Sequence, residues 1–418
     1  MDDAPGAVRK GSVMSANFEE KLAKLARLAV RFGVNVQPGQ ILYFTAPSAG
    51  LPLARLVTEE AYKAGADHVL SFVLDDEITL AKYRHGSDAS FDYAPGFLAE
   101  ALAEQAKAGK LARLGIYGDT PSLLAAEDPT KVARAAGVNA AANRPLMQAI
   151  TTSTNWSIVA CATPAWAAEV FPGLAADQAL ERLWDLIFRA SRIDEDDPVA
   201  AWQRDFTELA RRKAVLNEMR FSALHFEGGG TDLTIGLADH HKWCGGSEQL
   251  GNMSYAPNIP TEEVFSMPHR DRVDGRAVFT KPAVIAGTRV EGLVVEFEGG
   301  KATKITAETG EQVVQDYFTS DEGASRLGEV ALVSNSSPVA QTDTLFLNTL
   351  FDENAACHIA FGQAYSINIA PGADKDASGM NSSKIHMDCM IGHGALRVTG
   401  IGSDGARVPV MEAGEFVI

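Results

Sequence analysis

The chain has 418 residues, enough for two ordinary domains, and its 46% hydrophobic and 22% charged residues describe a well-cored globular protein rather than a disordered one. Its 37 basic and 54 acidic residues leave a formal charge of −17, which argues against nucleic acid or a membrane surface as the main partner, since both need basic surface. The four cysteines (Cys161, Cys244, Cys357, Cys389) are scattered with no CxxC pair, so reduced thiols in a cytoplasmic protein are expected rather than a disulfide framework.

Residues 1–14 read as a flexible tail without the apolar stretch of a signal peptide, and Met14 is a candidate natural start. Ser15 or Asn17 can cap a helix whose apolar positions Phe18, Leu22, Leu25, Leu28, Ala29 and Phe32 recur at helical spacing, with Gly33 as its stop. QILYFTA (40–46) reads as a buried strand, 51–66 as a helix, DHVLSFVL (67–74) as a second strand and 95–109 as helical. LARLGIYG (111–118) and NWSIVACA (155–162) supply two more strands. Strands alternating with helices predict an α/β domain over 15–195 with a mainly parallel sheet. No GxGxxG follows the first strand. The GGK at 299–301 fails as a phosphate loop, because Val295 stands where the first glycine is required and Ala302 replaces Ser/Thr. No run of 18 apolar residues occurs, so no membrane span is expected.

The acidic, proline-containing RIDEDDPVAAW (192–202) marks a boundary, and a long helix is expected over roughly 198–219. The texture then changes. FSALHFEGGGTDLTIGL (221–237) reads as a hairpin turning at three glycines, and 278–309 as short strands with turns at Gly287 and Gly299–Gly300. The second domain, 196–418, is thus expected to be β-rich α+β.

Four polar clusters fall in this half: TEEVF (261–265), DEGASRLGEVALV (321–333), ENAACHIAFGQAY (353–365) and SSKIHMDCMIG (382–392). On a strand, His386 and Asp388 share one face. His358 stands in an apolar run and, alone, reads as a core histidine. Tyr365 follows Gly362, which can break a strand. Glu329 enters an apolar segment, costly unless paired or metal-bound; alone, it reads as the exposed face of an amphipathic helix. Together these carboxylates and imidazoles form the mixed oxygen and nitrogen set suited to zinc, cobalt or manganese. Such a set fits two-metal hydrolysis, with a tyrosine hydroxyl donating to a developing oxyanion.

NIPTEEVF, DEGASRLGEVALV, ENAACHIAFGQAY and HMD, in that order, resemble the aminopeptidase T / aminopeptidase S / aminopeptidase II family of dinuclear metallo-aminopeptidases. The resemblance runs from about residue 16 to the end of the chain. It implies a cytoplasmic homodimeric exopeptidase acting on small peptides with two divalent ions, zinc foremost, with cobalt, manganese or magnesium as alternatives. It implies Glu263, Glu329, His358, His386 and Asp388 as metal ligands, with Glu329 as bridging and catalytic carboxylate and Tyr365 as catalytic tyrosine. Glu262 and Glu263 would point to opposite faces of a strand, leaving Glu262 to brace the site or help hold the substrate amine. His240, His241 and His269 are expected at the surface or behind the ligands, with His269 as a reserve ligand. Trp243, Gly245 and Gly246 read as a structural turn. The polar loop 371–384 is a candidate lid; it mimics a calcium loop, but Ile385 stands where that loop needs Glu. A non-catalytic metal-binding scaffold and a metal-dependent amidase acting on non-peptide substrates are the alternatives.

Overall fold

The computed structural model describes residues 16–285 and 288–418. The tail at 1–14, the Ser15 cap and the turn at Gly287 lie outside them. The first helix, Ala16–Leu28, widens into a looser turn, Ala29–Gly33, and buries Leu22, Leu25 and Leu28. Four strands follow: β1 (Ile41–Pro47), β2 (His68–Leu74), β3 (Leu111–Tyr117) and β4 (Asn155–Ala160). They form one parallel sheet in the order β2-β1-β3-β4. All four lie where the apolar runs place them, and helices such as Leu51–Lys63 and Gly96–Lys107 make the crossovers. The 25-residue helix Pro129–Ser153, capped by the Asp128 carboxylate, has no strong signal in the sequence. Only Ala135, Leu146, Ala149 and Ile150 are buried along it, too sparse an apolar stripe to read as a period.

The helix Pro198–Met219 leads into the second half, which is antiparallel and β-rich. An eight-stranded sheet runs in the order 301–306, 294–298, 268–278, 231–237, 223–228, 397–401, 407–412, 415–416. Beside it lies a four-stranded sheet in the order His386–Met390, His358–Gly362, Leu327–Val333, Glu263–Ser266. Val264, Val330, Leu332, Ile359, Phe361, Met387 and Cys389 from this smaller sheet enter one apolar core with Phe226, Leu233 and Ile235 of the larger one. The segment around Glu329 is therefore a central buried strand, not a helix face. It pairs on both edges, Val333 with Glu263 and Ala331 with His358, and every residue from Leu327 to Val333 is buried.

The two halves share material. Ala256, Ile259, Phe346, Leu350 and Phe351 pack into the core of the parallel-sheet half, and the Trp166 indole donates to the Phe346 carbonyl at 2.6 Å. The stretch just before the Glu262–Glu263 pair is laid along β4. The Ile158 N–H donates to the Pro257 carbonyl at 2.8 Å, and the Ile259 N–H donates back to the Ile158 carbonyl at 3.0 Å.

The Glu262 carboxylate closes this junction. The Arg192 guanidinium donates to Glu262 at 2.5 Å and to Asp205 at 3.0 Å, and lies over the Trp202 ring at 4.2 Å. Burial raises the Glu262 carboxyl, and Arg192 works against that rise. Removing one partner of a buried ion pair strands the other, at a cost of about 3–5 kcal/mol. Arg192→Ala is expected to lower unfolding stability by about that much, read as a shift in the denaturant midpoint of the purified protein.

Candidate metal centre

Alternation along the four-stranded sheet sorts its side chains. The face opposite the apolar core carries Glu263, Glu329, His358, His386 and Asp388. The register places small residues between them: Ala360 lies opposite both Glu329 and Asp388, and Ala331 lies opposite His358. These alanines leave room above the sheet for the longer side chains to converge.

Glu263, Glu329 and His358 each offer an atom, and these atoms all lie within 4.8 Å of one another. His358 Nε2 is 3.3 Å from Glu263 Oε2 and 3.7 Å from Glu329 Oε1. The other oxygen, Glu329 Oε2, is 3.9 Å from His386 Nε2, which is 3.4 Å from Asp388 Oδ1. Glu329 therefore turns one oxygen toward each histidine. The opposite ring nitrogens are engaged with backbone carbonyls: His358 Nδ1 with Ala356 at 3.1 Å, and His386 Nδ1 with Gln363 at 2.8 Å. That engagement orients each ring with Nε2 toward the carboxylates, as a metal ligand requires. Glu263 Oε2 is buried without a hydrogen bond, an orphaned acceptor that a cation would satisfy. Orphan, oriented imidazoles and mixed donors all fit a divalent metal.

The electrostatics agree. Burial pushes the Glu263 carboxyl up, His358 opposes this, and Glu329 and Asp388 add to it. Burial disfavours the charged form of both histidines, but the surrounding carboxylates outweigh it. His358 is pushed up to about 10 and His386 to about 9. Burial also acts on Asp388, but the hydrogen bond from His386 and the charge of His358 hold its carboxyl low.

Tyr365 stands at the rim, 44% exposed, with its ring 4.8 Å from that of His386. Burial and the charges of Glu329 and Asp388 raise its phenol. The strand ahead of it ends at Gly362, whose φ of +95° a side chain would resist. Gly245 allows a second close approach. It has φ +131°, and a β-carbon there would strike the Glu263 carbonyl, while neighbouring Cys244 exchanges hydrogen bonds with Phe265 at 2.9 and 3.0 Å. The turn read at Trp243–Gly246 thus flanks the Glu263 strand.

Of the other named residues, Glu262 faces Arg192 rather than the ligand cluster. His269 accepts from the Asp271 N–H at 3.1 Å and packs against Gly379, with Arg272, Asp271 and Asp239 as charged neighbours. His240 is exposed and His241 half-buried. The 371–384 loop is pinned by Asn381, which donates to the carbonyls of Gly323 and Gly362 at 2.9 and 2.7 Å. Cys357 and Cys389 adjoin His358 and Asp388 in sequence but alternate into the apolar core. Burial pushes the Cys357 thiol up to about 12 and raises Cys389 too.

Sequence reading passed over Glu353. It is half-buried and lines a cleft of about 470 Å³ together with His386, Asp388, Lys281 and, from the first half, Ser122 and Glu169. Burial and the charges of Glu263 and Asp388 raise its carboxyl well above the usual range. Its only signal was its place at the head of the ENAACHIAFGQAY motif.

The profile of the thermophilic metalloprotease (M29) family matches residues 18–416. The chain belongs to that family. It is 46% identical to aminopeptidase T of Thermus aquaticus over 407 residues, covering 96% of this chain and 99% of that protein. It is 41% identical to aminopeptidase 2 of Geobacillus stearothermophilus, covering 96% and 98%. The solved structure of wild-type AmpT from Thermus thermophilus superposes with a TM-score of 0.91 at 44% identity, covering 96% of this chain and 100% of that one. Family and relatives make the chain a metallo-aminopeptidase, a metal-dependent hydrolase. Among the described residues, no helix is long and apolar enough to cross a membrane.

Imidazoles whose pKa values are raised hold their protons at neutral pH, and a metal takes only the neutral ring. Metal uptake by the chelator-treated protein is therefore expected to release protons. Its affinity should climb with pH up to about 9–10, where His386 and His358 lose theirs. Calorimetric titration with zinc in buffers of different ionisation enthalpy measures the proton count directly.

Proposed function

We propose that this chain is a cytoplasmic homodimeric aminopeptidase that removes N-terminal residues from short peptides using two divalent ions, zinc foremost. The observation that carries the two-ion reading is the placement of Glu329, with one oxygen toward His358 and the other toward His386. In this reading Glu263, His358 and Glu329 would hold one ion, and Glu329, His386 and Asp388 the other. When bound, such ions polarise the scissile carbonyl and acidify water.

The protein's own groups do the rest. Glu329 is the catalytic carboxylate, taking a proton from the attacking water and delivering it to the leaving amine. Tyr365, whose raised phenol stays protonated at neutral pH, donates a hydrogen bond to the developing oxyanion. Glu262 acts through Arg192 to brace the strand that carries Glu263. The cleft of about 470 Å³ suits a short peptide, and the homodimer implied by the family resemblance encloses it. The four free, buried cysteines suit a reducing compartment.

Hydrolysis of aminoacyl p-nitroanilides and dipeptides by chelator-treated protein is expected to return when zinc, cobalt, manganese or magnesium is added back, and to be absent on N-acetylated substrates. Failure with every metal, on protein shown to bind two ions, would point to another amide substrate or a non-catalytic scaffold. Glu329→Gln is expected to lower kcat by about a hundredfold to ten-thousandfold while the protein stays folded by circular dichroism.

A further inference from the structure

The cleft beside the carboxylate and imidazole cluster follows a sheet edge. The strand His386–Met390 is the outermost of the four-stranded sheet, and all five of its residues line the cleft. Met387 and Cys389 turn into the apolar core, leaving His386, Asp388 and Met390 on the other face. At the Met390 end the edge is met by the chain at Thr280. The Thr280 N–H donates to the Met390 carbonyl at 2.8 Å, and its hydroxyl donates to the Gly392 carbonyl at 2.8 Å. The next residue, Lys281, lines the cleft.

Lys281 is a cation in acidic surroundings, for Glu169, Asp352 and Asp388 line the same cleft. Its ammonium donates to Asp343 at 2.5 Å, but the Asp343 side chain is 90% exposed and that of Lys281 only 26%. An ion pair with one partner so open to water contributes little, and Asp343 takes one of the ammonium's three donors. Asp352 feels the Lys281 charge, but its oxygens accept N–H bonds from Phe346 and Asn348 at 2.7 and 2.9 Å. The other cation lining the cleft among the described residues is Arg289, which is 61% exposed and donates to Glu291 at 2.6 Å. Lys281 is therefore the more sheltered positive charge of the cleft, and its strongest partner is a replaceable one.

We propose that Lys281 binds the C-terminal carboxylate of the substrate, making the protein selective for peptides of two or three residues with a free C-terminus. This rests on the aminopeptidase reading above. A short peptide brings its carboxylate into a cleft whose own carboxylates repel it, and Lys281 offers the opposite charge and a charge-assisted hydrogen bond. The lengths agree. At about 3.3 Å per residue, Met390 stands about 7 Å along the strand from Asp388 and about 13 Å from His386. A peptide with its scissile bond over His386 and Asp388 and its last one or two residues extended along the edge delivers its carboxylate to the Met390 end, where Lys281 begins. A longer peptide carries its carboxylate past Lys281 and loses the contact.

The tripeptide Leu-Gly-Gly and its C-terminal amide differ only in that terminal charge. With metal-loaded wild-type protein, kcat/KM is expected to be about tenfold higher for the free acid, and the preference should shrink as salt is raised. Lys281→Met should bring the acid down to the level of the amide, Lys281→Glu should invert the preference, and Lys281→Arg should keep most of it. The amide, assayed on the same preparation, corrects each variant for any loss of folded protein. In the wild type, lengthening the pair to Leu-Gly-Gly-Gly-Gly should remove the preference. Equal kcat/KM for acid and amide tripeptides in the wild type, an acid preference that survives Lys281→Met, or one that persists undiminished in the pentapeptide would each overturn the proposal. Absence of hydrolysis of either tripeptide and of leucine p-nitroanilide would instead overturn the aminopeptidase reading on which it rests.

Discussion

Negative charge crowded onto one buried sheet face is the constraint around which the second half is organised. Glu263, Glu329 and Asp388 converge there, with His358 and His386 among them. Carboxylates this close, and this far from water, repel one another and lose hydration, so positive charge among them stabilises the arrangement. The rest of the sheet serves that geometry. Ala331 and Ala360 keep the space open, Gly245 and Gly362 shape the ends of two strands, and backbone carbonyls aim the two imidazoles. The apolar underside, with Val330, Ile359 and Phe361 in the core, holds the platform rigid.

The first half contributes position rather than ligands. Its parallel sheet ends at β4, along which the chain from Pro257 to Ile259 is hydrogen-bonded immediately before Glu262 and Glu263. Arg192 then fixes Glu262 from the other side. A displacement between the halves would be felt at Glu263 within a few residues, so the junction and the site are mechanically one structure. Ser122 and Glu169 extend this coupling by lining the same cleft as His386 and Asp388.

Much of this was legible in the chain. The four parallel strands announced themselves as apolar runs between helical periods, and the motif residues Glu263, Glu329, His358, His386 and Asp388 do meet on one face. Tyr365 lies beside His386. What local pattern cannot express is partnership. Glu329 alone resembled a helix face because its strand is buried on both sides and lacks alternation, a property created by two neighbouring strands. Arg192 looked like part of an acidic linker until the fold brought it 70 residues along the chain to Glu262. The helix Pro129–Ser153 buries too few side chains to show a period. Glu353 carried no spacing signal, because its meaning comes from the cleft it borders.

The alternation that separates carboxylates and imidazoles from thiols also guards the assembly of the fold. On the strand His386–Met390, ligand-type residues occupy one parity, and Met387 and Cys389 the other. A slip of one position during folding would exchange them, driving a histidine and an aspartate into hydrocarbon while offering sulfur to the acidic face. Both halves of that exchange are unfavourable, so the misregistered strand is penalised twice over. The pairing that brings these carboxylates and imidazoles together is thereby its own proofreader, enforced by solvation alone.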